Sequence, residues 1–309
     1  MIRFGIERIV QLFLVIFFVS TLTFFLLRFA PGDPAYILLT KHNVPASEEA
    51  LNRLREELGL TDTFWSQYIQ WIKDAFTWQW GTSFVSKEPV VEELLNRLPA
   101  TLELAAAGII VMIFITIILG VSTAIYSNGL LDGIGRMLAI IGSSIPAFWL
   151  GFLFIYFFSV QYGWLPSIGR GTFVHLILPG LTLGLGVGTV YARILRTNML
   201  ELTHQPFVKA ARVRGLSNTY IFIFHLFKHA FLPIVTMLGT SFAYMLGGSV
   251  IVESIYSWPG LGKYIVESIN MRDYPVIQGY VVFTSFLFVS LHIVVDLIYA
   301  ALDPRIKIR

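Results

Sequence analysis

The sequence predicts an all-α membrane protein with six transmembrane helices. Charged residues make up only 13% of the 309 positions, whereas about 25% is usual in soluble domains. Hydrophobic residues make up 56%, and they gather in six stretches that each approach the roughly 20 residues a helix needs to cross a bilayer. These stretches are about 9–28, 101–125, 136–160, 175–198, 230–252 and 279–301. An ordinary soluble fold and a disordered chain are both excluded.

Composition also narrows the chemistry that the chain can carry. The formal net charge of +3 is too small to indicate nucleic-acid binding, so no nucleic-acid partner is expected. The chain contains no cysteine, which excludes disulfides, thiolate metal sites and cysteine nucleophiles.

The first apolar stretch, within residues 1–28, is predicted to be a retained span. It follows Arg3 and Arg8 and is about as long as a bilayer is thick. A secretory signal peptide has a shorter apolar region and ends at a small-residue cleavage site. Here the stretch is followed by Arg28-Phe-Ala-Pro31, which does not resemble such a site.

Residues 29–100 are predicted to form a small helical segment on the extracytoplasmic membrane surface. Gly59 is suited to end a first helix, and residues 64–80 form an aromatic, amphipathic second one. Pro89 and Pro99 are expected to bracket a third short helix. Apolar residues recur at helical spacing in the first and third helices: Leu51, Leu54 and Leu58, then Val90, Leu94 and Leu98.

Basic residues predict that both termini lie in the cytoplasm, because Lys and Arg in short loops favour that side. They concentrate before the first span, before the third, between the fourth and fifth, and after the sixth. Residues 101–301 then form a five-helix core, and 302–309 form a cytoplasmic tail. Six of the seven tryptophans fall on the opposite, extracytoplasmic side, where their amphipathic rings favour the membrane interface.

Small residues recur every fourth position in two of the spans, which places them on one helix face. The fourth span carries Gly180, Gly184 and Gly188, and the fifth carries Gly239, Ala243 and Gly247. Such faces let membrane helices approach closely. They are expected either to pack helices within the chain, or to meet a partner subunit or line a pore.

The cytoplasmic segment 199–229, between the fourth and fifth spans, is predicted to form a helix, a tight turn and a second helix. Pro206 suits a helix start, and Gly215 permits the positive φ of a helix end. Ser217 or Asn218 can cap the next helix. Phe207, Ala210 and Ala211 form a narrow apolar face. Such a compact element suits a mechanical coupler, although a basic loop that only satisfies the charge rule is the simpler alternative.

The spacing in this segment favours the coupler. Ala210-Ala211-x3-Gly215, followed by Leu232-Pro233, resembles the coupling motif of ABC importer permeases. Two departures are Lys209, where that motif has Glu, and a longer interval to the proline. Both departures resemble the dipeptide/oligopeptide/nickel permease family, as do His225, His229 and Ala230 before Pro233.

The resemblance to this family covers the whole chain. It is carried by Arg28-Phe-Ala-Pro-Gly-Asp33-Pro-Ala35, Leu98-Pro-Ala-Thr-Leu-Glu-Leu104, Ser144-Ile-Pro-Ala-Phe-Trp-Leu-Gly151, Gly247 to Glu253, Trp258-Pro-Gly-Leu-Gly262, Arg272-Asp-Tyr-Pro-Val-Ile-Gln278 and Asp303-Pro-Arg305. The N-terminal motif and the large extracytoplasmic segment resemble the first of two permease subunits. The runs 98–108 and 175–200 look most similar to nickel-import permeases.

This resemblance implies a type I permease that carries nickel, free or as a small chelate, with dipeptides or oligopeptides as the alternative cargo. It implies a bacterial or archaeal cytoplasmic membrane and four kinds of partner: a second permease, two ATP-binding subunits, an extracytoplasmic binding protein and lipid. ATP and Mg²⁺ would belong to the partner subunits, with no cofactor in this chain. The residues expected to couple the chain to the ATPases are Phe207, Ala210, Ala211, Arg212, Arg214, Gly215 and Leu216.

No catalytic residues are predicted. The stretch Trp258 to Tyr264 lacks the Gly-x4-Gly-Lys-Ser/Thr spacing of a phosphate loop. Ionisable residues inside spans indicate function, and methionines offer soft contacts. The candidates for a translocation path are therefore Met237, Met245, Glu253, His292 and Asp296. No metal ligands are assigned, although His225 and His229 stand four residues apart.

A stand-alone secondary transporter is the alternative from another class. It would need a coupling site of buried charges and usually an inverted internal repeat. The sequence shows neither feature. A membrane enzyme is a third possibility, but the chain offers no nucleophile with a base and no metal constellation.

Overall fold

The computed structural model describes residues 2–41 and 47–302, and this part of the chain is mostly helical. The helices are α1 (Ile2–Phe29), α2 (Pro34–Lys41), α3 (Glu48–Glu57), α4 (Phe64–Thr77), α5 (Val90–Ile125), α6 (Leu130–Ser144), α7 (Ala147–Phe154), α8 (Val174–Leu202), α9 (Pro206–Val213), α10 (Asn218–Tyr220), α11 (Phe227–Ile255), α12 (Leu261–Asn270) and α13 (Tyr274–Leu302). Two π-helical segments, Ile155–Gln161 and Ile221–Leu226, follow α7 and α10. The predicted cytoplasmic tail, residues 302–309, lies outside the described residues except for its first position.

The membrane spans confirm the predicted fold class. Four helices, α1, α5, α8 and α13, are long and apolar enough to cross a bilayer. Two bent helix pairs raise the number to six if each pair counts as one span. These pairs are α6 with α7 and its π-helical continuation, and the bent stretch 221–247.

The third predicted span is broken, contrary to the expectation of one continuous helix over 136–160. Its two halves are bent by 105° at Ile145–Pro146. Proline lacks the N–H that would continue the helix and pushes the preceding residue out of the helical region. Ile145 accordingly adopts φ −77° and ψ 124°, which is extended backbone.

The expected short helix between Pro89 and Pro99 is also corrected. Helix α5 runs without interruption from Val90 to Ile125, with Pro99 inside it. The predicted third helix is therefore the first part of the second span. Proline is tolerated inside membrane helices because neighbouring groups satisfy the backbone carbonyl that it leaves free.

The chain divides into two compact units, of which the first comprises residues 1–99 and 260–309. Here α1 packs on α13 and α4, and α12 packs on α13. The core is aromatic and aliphatic, with Trp71, Trp80, Val90 and Phe283 among its buried members. Both Val90 and Trp80 lie close to Gly279. A Cβ atom added at Gly279 would be 2.7 Å from the Val90 side chain and 3.3 Å from the Trp80 side chain.

Asp273 anchors the loop before α5 within this first unit. Its carboxylate accepts hydrogen bonds from the Ser83 hydroxyl (2.6 Å) and from the backbone N–H groups of Phe84 (3.1 Å) and Val85 (3.2 Å). Asp273 is buried. Several donors on one carboxylate satisfy the charge that burial would otherwise leave unpaired.

Two of the family-like motifs meet in the same unit, which gives them a structural role. The Arg272 guanidinium donates a hydrogen bond to the carbonyl of Pro31. Asp33 accepts hydrogen bonds from Arg55 Nε (2.9 Å) and Nη2 (2.6 Å) and also caps α2 through the Ala35 N–H. The turn after α1 is thereby held by charge-assisted hydrogen bonds.

The second unit, residues 100–259, is built around α8. Helix α8 contacts α6, α7 and α11. Its glycine face lies against α5: a Cβ at Gly180 would be 3.2 Å from Ala107 Cβ, and one at Gly188 would be 3.0 Å from Ile115 Cβ. The Thr116 hydroxyl also donates to the Gly188 carbonyl at 3.2 Å. These glycines therefore let two membrane helices pack closely.

Candidate coupling segment and membrane groove

The coupling segment, residues 199–229, contains the helix and the turn that the sequence predicts. Helix α9 begins with Pro206 at its first position and ends at Val213. Gly215 follows with φ +82°. The N–H of Gly215 donates to the Arg212 carbonyl (2.9 Å), and the N–H of Leu216 donates to the Ala211 carbonyl (3.3 Å). This pair of bonds is the Schellman motif, which satisfies the last carbonyls of a helix.

The turn leads directly into the next helical stretch. The Ser217 hydroxyl accepts the N–H of Tyr220 at 3.3 Å, which makes Ser217 the cap of α10. From Asn218 the chain continues through the π-helical segment into α11 and stays helical to Ile255. This helical stretch is bent by 46° between Val235 and Met237, so the turn is joined to the rest of α11 through two helical segments at an angle.

The predicted apolar face of α9 is only partly buried within this chain. Val208 and Ala211 are buried, whereas Phe207 and Ala210 are exposed. Positions 208 and 211 lie one turn apart, so they face the same neighbour, and α9 packs on the π-helical segment 221–226. The sequence pattern identified an apolar stripe but could not show which side of it meets the rest of the chain.

The exposed side of the segment combines apolar and basic side chains. Phe207 is 40% exposed, Leu216 37% and Val213 89%. Lys209, Arg212 and Arg214 are exposed among them. Val213 was not among the predicted coupling residues. This set of six exposed residues is called the coupling surface below.

A groove of about 760 Å³ lies within the second unit, between α6, α7, α8 and α11. The break at Ile145–Pro146 forms part of its wall. Six hydroxyl groups line it, from Ser143, Thr182, Tyr191, Thr240, Ser241 and Tyr244. The other lining side chains are aliphatic, and no lining residue within the described part of the chain is charged.

Hydrogen bonds fix several of the groove hydroxyls in place. Tyr191 Oη lies 2.6 Å from Ser241 Oγ, and Thr182 Oγ1 lies 2.9 Å from Tyr256 Oη. A hydroxyl both donates and accepts, so this lining can pair with either kind of neutral polar group. The sequence analysis did not identify these residues, because single Ser, Thr and Tyr residues give no distinctive signal.

Among the candidates for a translocation path, none that belongs to the second unit lines this groove. Met245 is buried near Gly108, Met237 is half-buried, and Glu253 is buried with its carboxylate accepting the Thr101 hydroxyl at 2.8 Å. His292 is exposed on α13, with Nδ1 2.9 Å from the Phe288 carbonyl. The side chain of Asp296 lies outside the described part of the structure. Among the small residues of the fifth span, Ala243 is buried, Gly239 half-buried and Gly247 exposed.

The structure contains a buried carboxylate that the sequence analysis overlooked. Asp132 on α6 is fully buried and accepts hydrogen bonds from Arg196 Nε and Nη2, each at 2.8 Å. Arg136 lies 3.6 Å away, and the Asn128 N–H also donates to this carboxylate. The partners are 64 residues apart, so no local pattern could have paired them.

The rings of His225 and His229 each contact a different aromatic side chain. The His225 ring contacts Tyr220, at 5.8 Å between centroids, and the His229 ring contacts Phe207 at 5.6 Å. Each imidazole thus packs on its own aromatic neighbour. Among the described residues, no three His, Asp or Glu side chains cluster in the way that a metal site requires.

Two family models together cover nearly the whole chain. The model described as binding-protein-dependent transport system inner membrane component matches residues 116–308. The model for the N-terminal part of such membrane components matches residues 1–105.

Two relatives of known name are similar to this chain over nearly its full length. The glutathione transport system permease protein GsiC of Escherichia coli (strain K12) is 36% identical over 307 residues, covering 99% of each chain. GsiC of Salmonella choleraesuis (strain SC-B67) is 37% identical over the same length and coverage.

Solved structures support the fold. A chain of the inward-facing MetNI methionine ABC transporter superposes with a TM-score of 0.55 at 19% identity, covering 69% of this chain and 97% of that one. A chain of an amino acid ABC transporter gives 0.51 at 18% identity, with coverages of 67% and 93%. This chain therefore belongs to the family of binding-protein-dependent transport system inner membrane components, and it is a multi-pass permease subunit of an ABC importer.

Proposed function

We propose that this permease forms half of the pore of an ABC importer for small peptides. The observation that supports this proposal is sequence similarity: the chain is 36–37% identical to permeases named for glutathione transport, over 99% of this chain and of each relative. Glutathione is a tripeptide, so this similarity favours the peptide alternative over nickel. A second permease, two ATP-binding subunits that hold ATP and Mg²⁺, and an extracytoplasmic binding protein complete the proposed assembly.

The groove supports a peptide as cargo. Its lining offers hydroxyls and aliphatic side chains, and peptide N–H and C=O groups pair well with neutral hydroxyls. A volume of about 760 Å³ lies within the range of about 300–1,000 Å³ that small-molecule sites occupy. Nickel instead favours imidazole and other nitrogen or oxygen donors in a fixed geometry.

The coupling surface is the proposed contact with an ATP-binding subunit. Phe207 and Val213 are apolar and exposed, and exposed basic residues surround them. An apolar centre with a polar rim is typical of protein interfaces. The bent helical stretch from Asn218 to Ile255 would then carry the motion of the ATPase to α11 and to the wall of the groove.

Reconstituted uptake tests the cargo. The chain is assembled in proteoliposomes with its second permease, ATP-binding subunits and binding protein, and uptake of labelled glutathione and of ⁶³Ni²⁺ is measured with and without ATP. We expect ATP-dependent glutathione or dipeptide uptake well above that of nickel. ATP-dependent nickel uptake without peptide uptake would restore the nickel assignment.

A second set of vesicles distinguishes the importer from a stand-alone secondary transporter. The chain alone is reconstituted and exposed to proton and sodium gradients. We expect no cargo flux under either gradient. Flux without any ATP-binding subunit would contradict the proposal, because transport would then need no external motor.

A further inference from the structure

A second groove lies on the surface of the second unit, between α5, α6, α7 and α8. Its volume is about 420 Å³, and its lining is aliphatic and aromatic except for Gly142 and Thr189. Phe114 and Ile118 on α5 and Ile141 on α6 line it and are exposed. Helices α5 and α8 are both long and apolar enough to cross a membrane, so this surface meets either lipid tails or another apolar helix. The peptide-import proposal makes no use of it.

A cluster of arginines follows this second groove along three of the same helices. A small notch continues the groove, and Leu119 lines both of them. The notch is also lined by Arg136 on α6 and by Arg193 and Arg196 on α8. Thr189 in the groove and Arg193 in the notch are four positions apart, which is about one helical turn. An uncharged groove therefore ends at a group of positive charges.

The arginine cluster keeps a net positive charge after its own ion pairs are counted. Arg196 donates two hydrogen bonds of 2.8 Å to the buried carboxylate of Asp132, and these two charges offset each other. Arg136 lies 3.6 Å from the same carboxylate, but its side chain is 56% exposed. Arg193 is also exposed, and it makes no ion pair within the part of the chain that the structure describes. Arg136 and Arg193 are therefore open to a further anion.

The two exposed arginines lie at a depth from which they can reach the membrane surface. Arg136 stands six positions after the start of α6, and Arg193 stands nine positions before the end of α8. At 1.5 Å per residue, these positions are about 9 Å and about 14 Å from the helix ends. Arginine extends its apolar stem along a helix and holds its guanidinium in the polar layer. Basic pockets between membrane helices at this level bind anionic lipid headgroups.

We propose that the second groove binds one anionic phospholipid. Its phosphate would pair with Arg136 and Arg193, because guanidinium groups match the geometry of phosphate oxygens. One acyl chain would lie in the groove against α5 and α6. A free phosphate would leave the apolar groove empty, and an apolar helix would leave the two arginines without a counter-charge, whereas an anionic lipid satisfies both parts. The inference holds whatever cargo the importer carries.

Lipid retention tests the role of the charges. The full chain is extracted from vesicles that contain equal amounts of phosphatidylglycerol and phosphatidylcholine, and the lipids that stay bound are counted by native mass spectrometry. Arg136→Gln combined with Arg193→Gln removes both exposed charges, and the corresponding pair of Lys substitutions keeps them. The matched control is Arg53→Gln combined with Lys73→Gln. It removes two exposed positive charges from residues that line neither the groove nor the notch.

We expect the unchanged protein and the control pair to retain phosphatidylglycerol in preference to phosphatidylcholine. The Gln pair at positions 136 and 193 should lower this preference by about fivefold for each arginine, the usual contribution of a basic residue near the membrane surface. The Lys pair should keep most of the preference because it keeps the charge. Equal retention of the two lipids by the unchanged protein, or an equal loss in the control pair, would overturn the proposal.

A second measurement uses the unchanged protein, so it does not depend on how well a variant folds. Phosphatidylglycerol with a photoreactive group on one acyl chain is added to vesicles that hold the complete importer, and the crosslinked positions are mapped. We expect crosslinks within residues 114–119 and 138–145, which excess unlabelled phosphatidylglycerol removes and inorganic phosphate does not.

Three results of this mapping would contradict the lipid site. Crosslinks confined to other helices would place the lipid elsewhere. Loss of the crosslinks in inorganic phosphate would show that the arginines bind a free anion. Crosslinks that form in the chain alone but disappear in the complete importer would make the second groove an interface with another subunit.

Discussion

At the scale of single residues, the distance between α5 and α8 is set by the absence of a side chain. A methyl group at Gly184 would collide with the carbonyl oxygen of Gly108 and lie 2.8 Å from Val111 Cβ. Gly186 is two positions away, and there the nearest such atom is 3.7 Å distant. Two glycines of one helix therefore carry different constraints, and only one of them needs to be glycine for packing.

Gly184→Ala is expected to lower the free energy of unfolding by about 1–3 kcal/mol, the usual cost of overpacking a filled interior. Gly186→Ala serves as the control, because it should be neutral or should stabilise the helix by about 0.5–1 kcal/mol. Thermal unfolding of both variants in detergent measures the difference. Equal stabilities would show that α5 and α8 can separate at no cost.

The ion pair of Asp132 and Arg196 is the second constraint at this scale. Asp132→Ala leaves the Arg196 side chain, which is 19% exposed, without its partner. Removing one member of a buried pair is strongly destabilising, and with this residual exposure we expect a loss of roughly 2–3 kcal/mol.

The matched control for that variant is Arg53→Gln, which breaks an exposed pair with Glu49. Exposed pairs contribute about 0–1 kcal/mol, so its unfolding transition should hardly move. Denaturation of both variants under the same conditions makes the comparison. A loss no larger for Asp132→Ala than for Arg53→Gln would contradict the structural role of the buried pair.

At the scale of elements, helix boundaries were predictable where a residue restricts its own backbone. Pro206 and Gly215 fix the start and end of α9, because each acts through its own φ. Pro99 and Pro146 show the limit of such reasoning. Pro99 lies inside a continuous helix, whereas Pro146 accompanies a 105° bend, so a proline in the sequence does not by itself predict where a helix breaks.

The turn at Gly215 is the element whose function can be tested most sharply. Its φ of +82° is unfavourable for a branched side chain, while no atom lies within 4 Å of a Cβ at this position. Gly215→Val therefore adds backbone strain of about 1–2 kcal/mol without a collision. We expect the complex to assemble and hydrolyse ATP, but with peptide uptake reduced at least tenfold.

Two variants control for this change. Gly215→Asn keeps the turn, because Asn tolerates positive φ, and should retain uptake. Gly59→Val imposes the same kind of strain at φ +65°, again with no atom nearby, but at the end of α3. If Gly59→Val reduced uptake as strongly as Gly215→Val, the loss would reflect general strain rather than coupling.

At the scale of the whole molecule, the sequence predicts the fold class but not the sites. Apolar length alone identifies six stretches, and the structure gives four spans, or six if each bent pair counts as one. The groove is formed by side chains from α6, α7, α8 and α11, and which faces meet depends on packing between distant segments. The first unit likewise joins residues 1–99 to 260–309, a pairing that no local periodicity indicates.

The orientation of the chain follows from charge and remains a prediction, which the absence of cysteine makes easy to test. Single cysteines are introduced at Ser66 and at Lys209, both exposed positions, and intact cells are treated with a membrane-impermeant maleimide. We expect Ser66→Cys to react and Lys209→Cys to stay unlabelled until the membrane is opened. The basic coupling surface includes Lys209, and basic segments are retained in the cytoplasm. Labelling of Lys209→Cys in intact cells would place that surface where no ATP-binding subunit could reach it, and the coupling proposal would fail with the orientation.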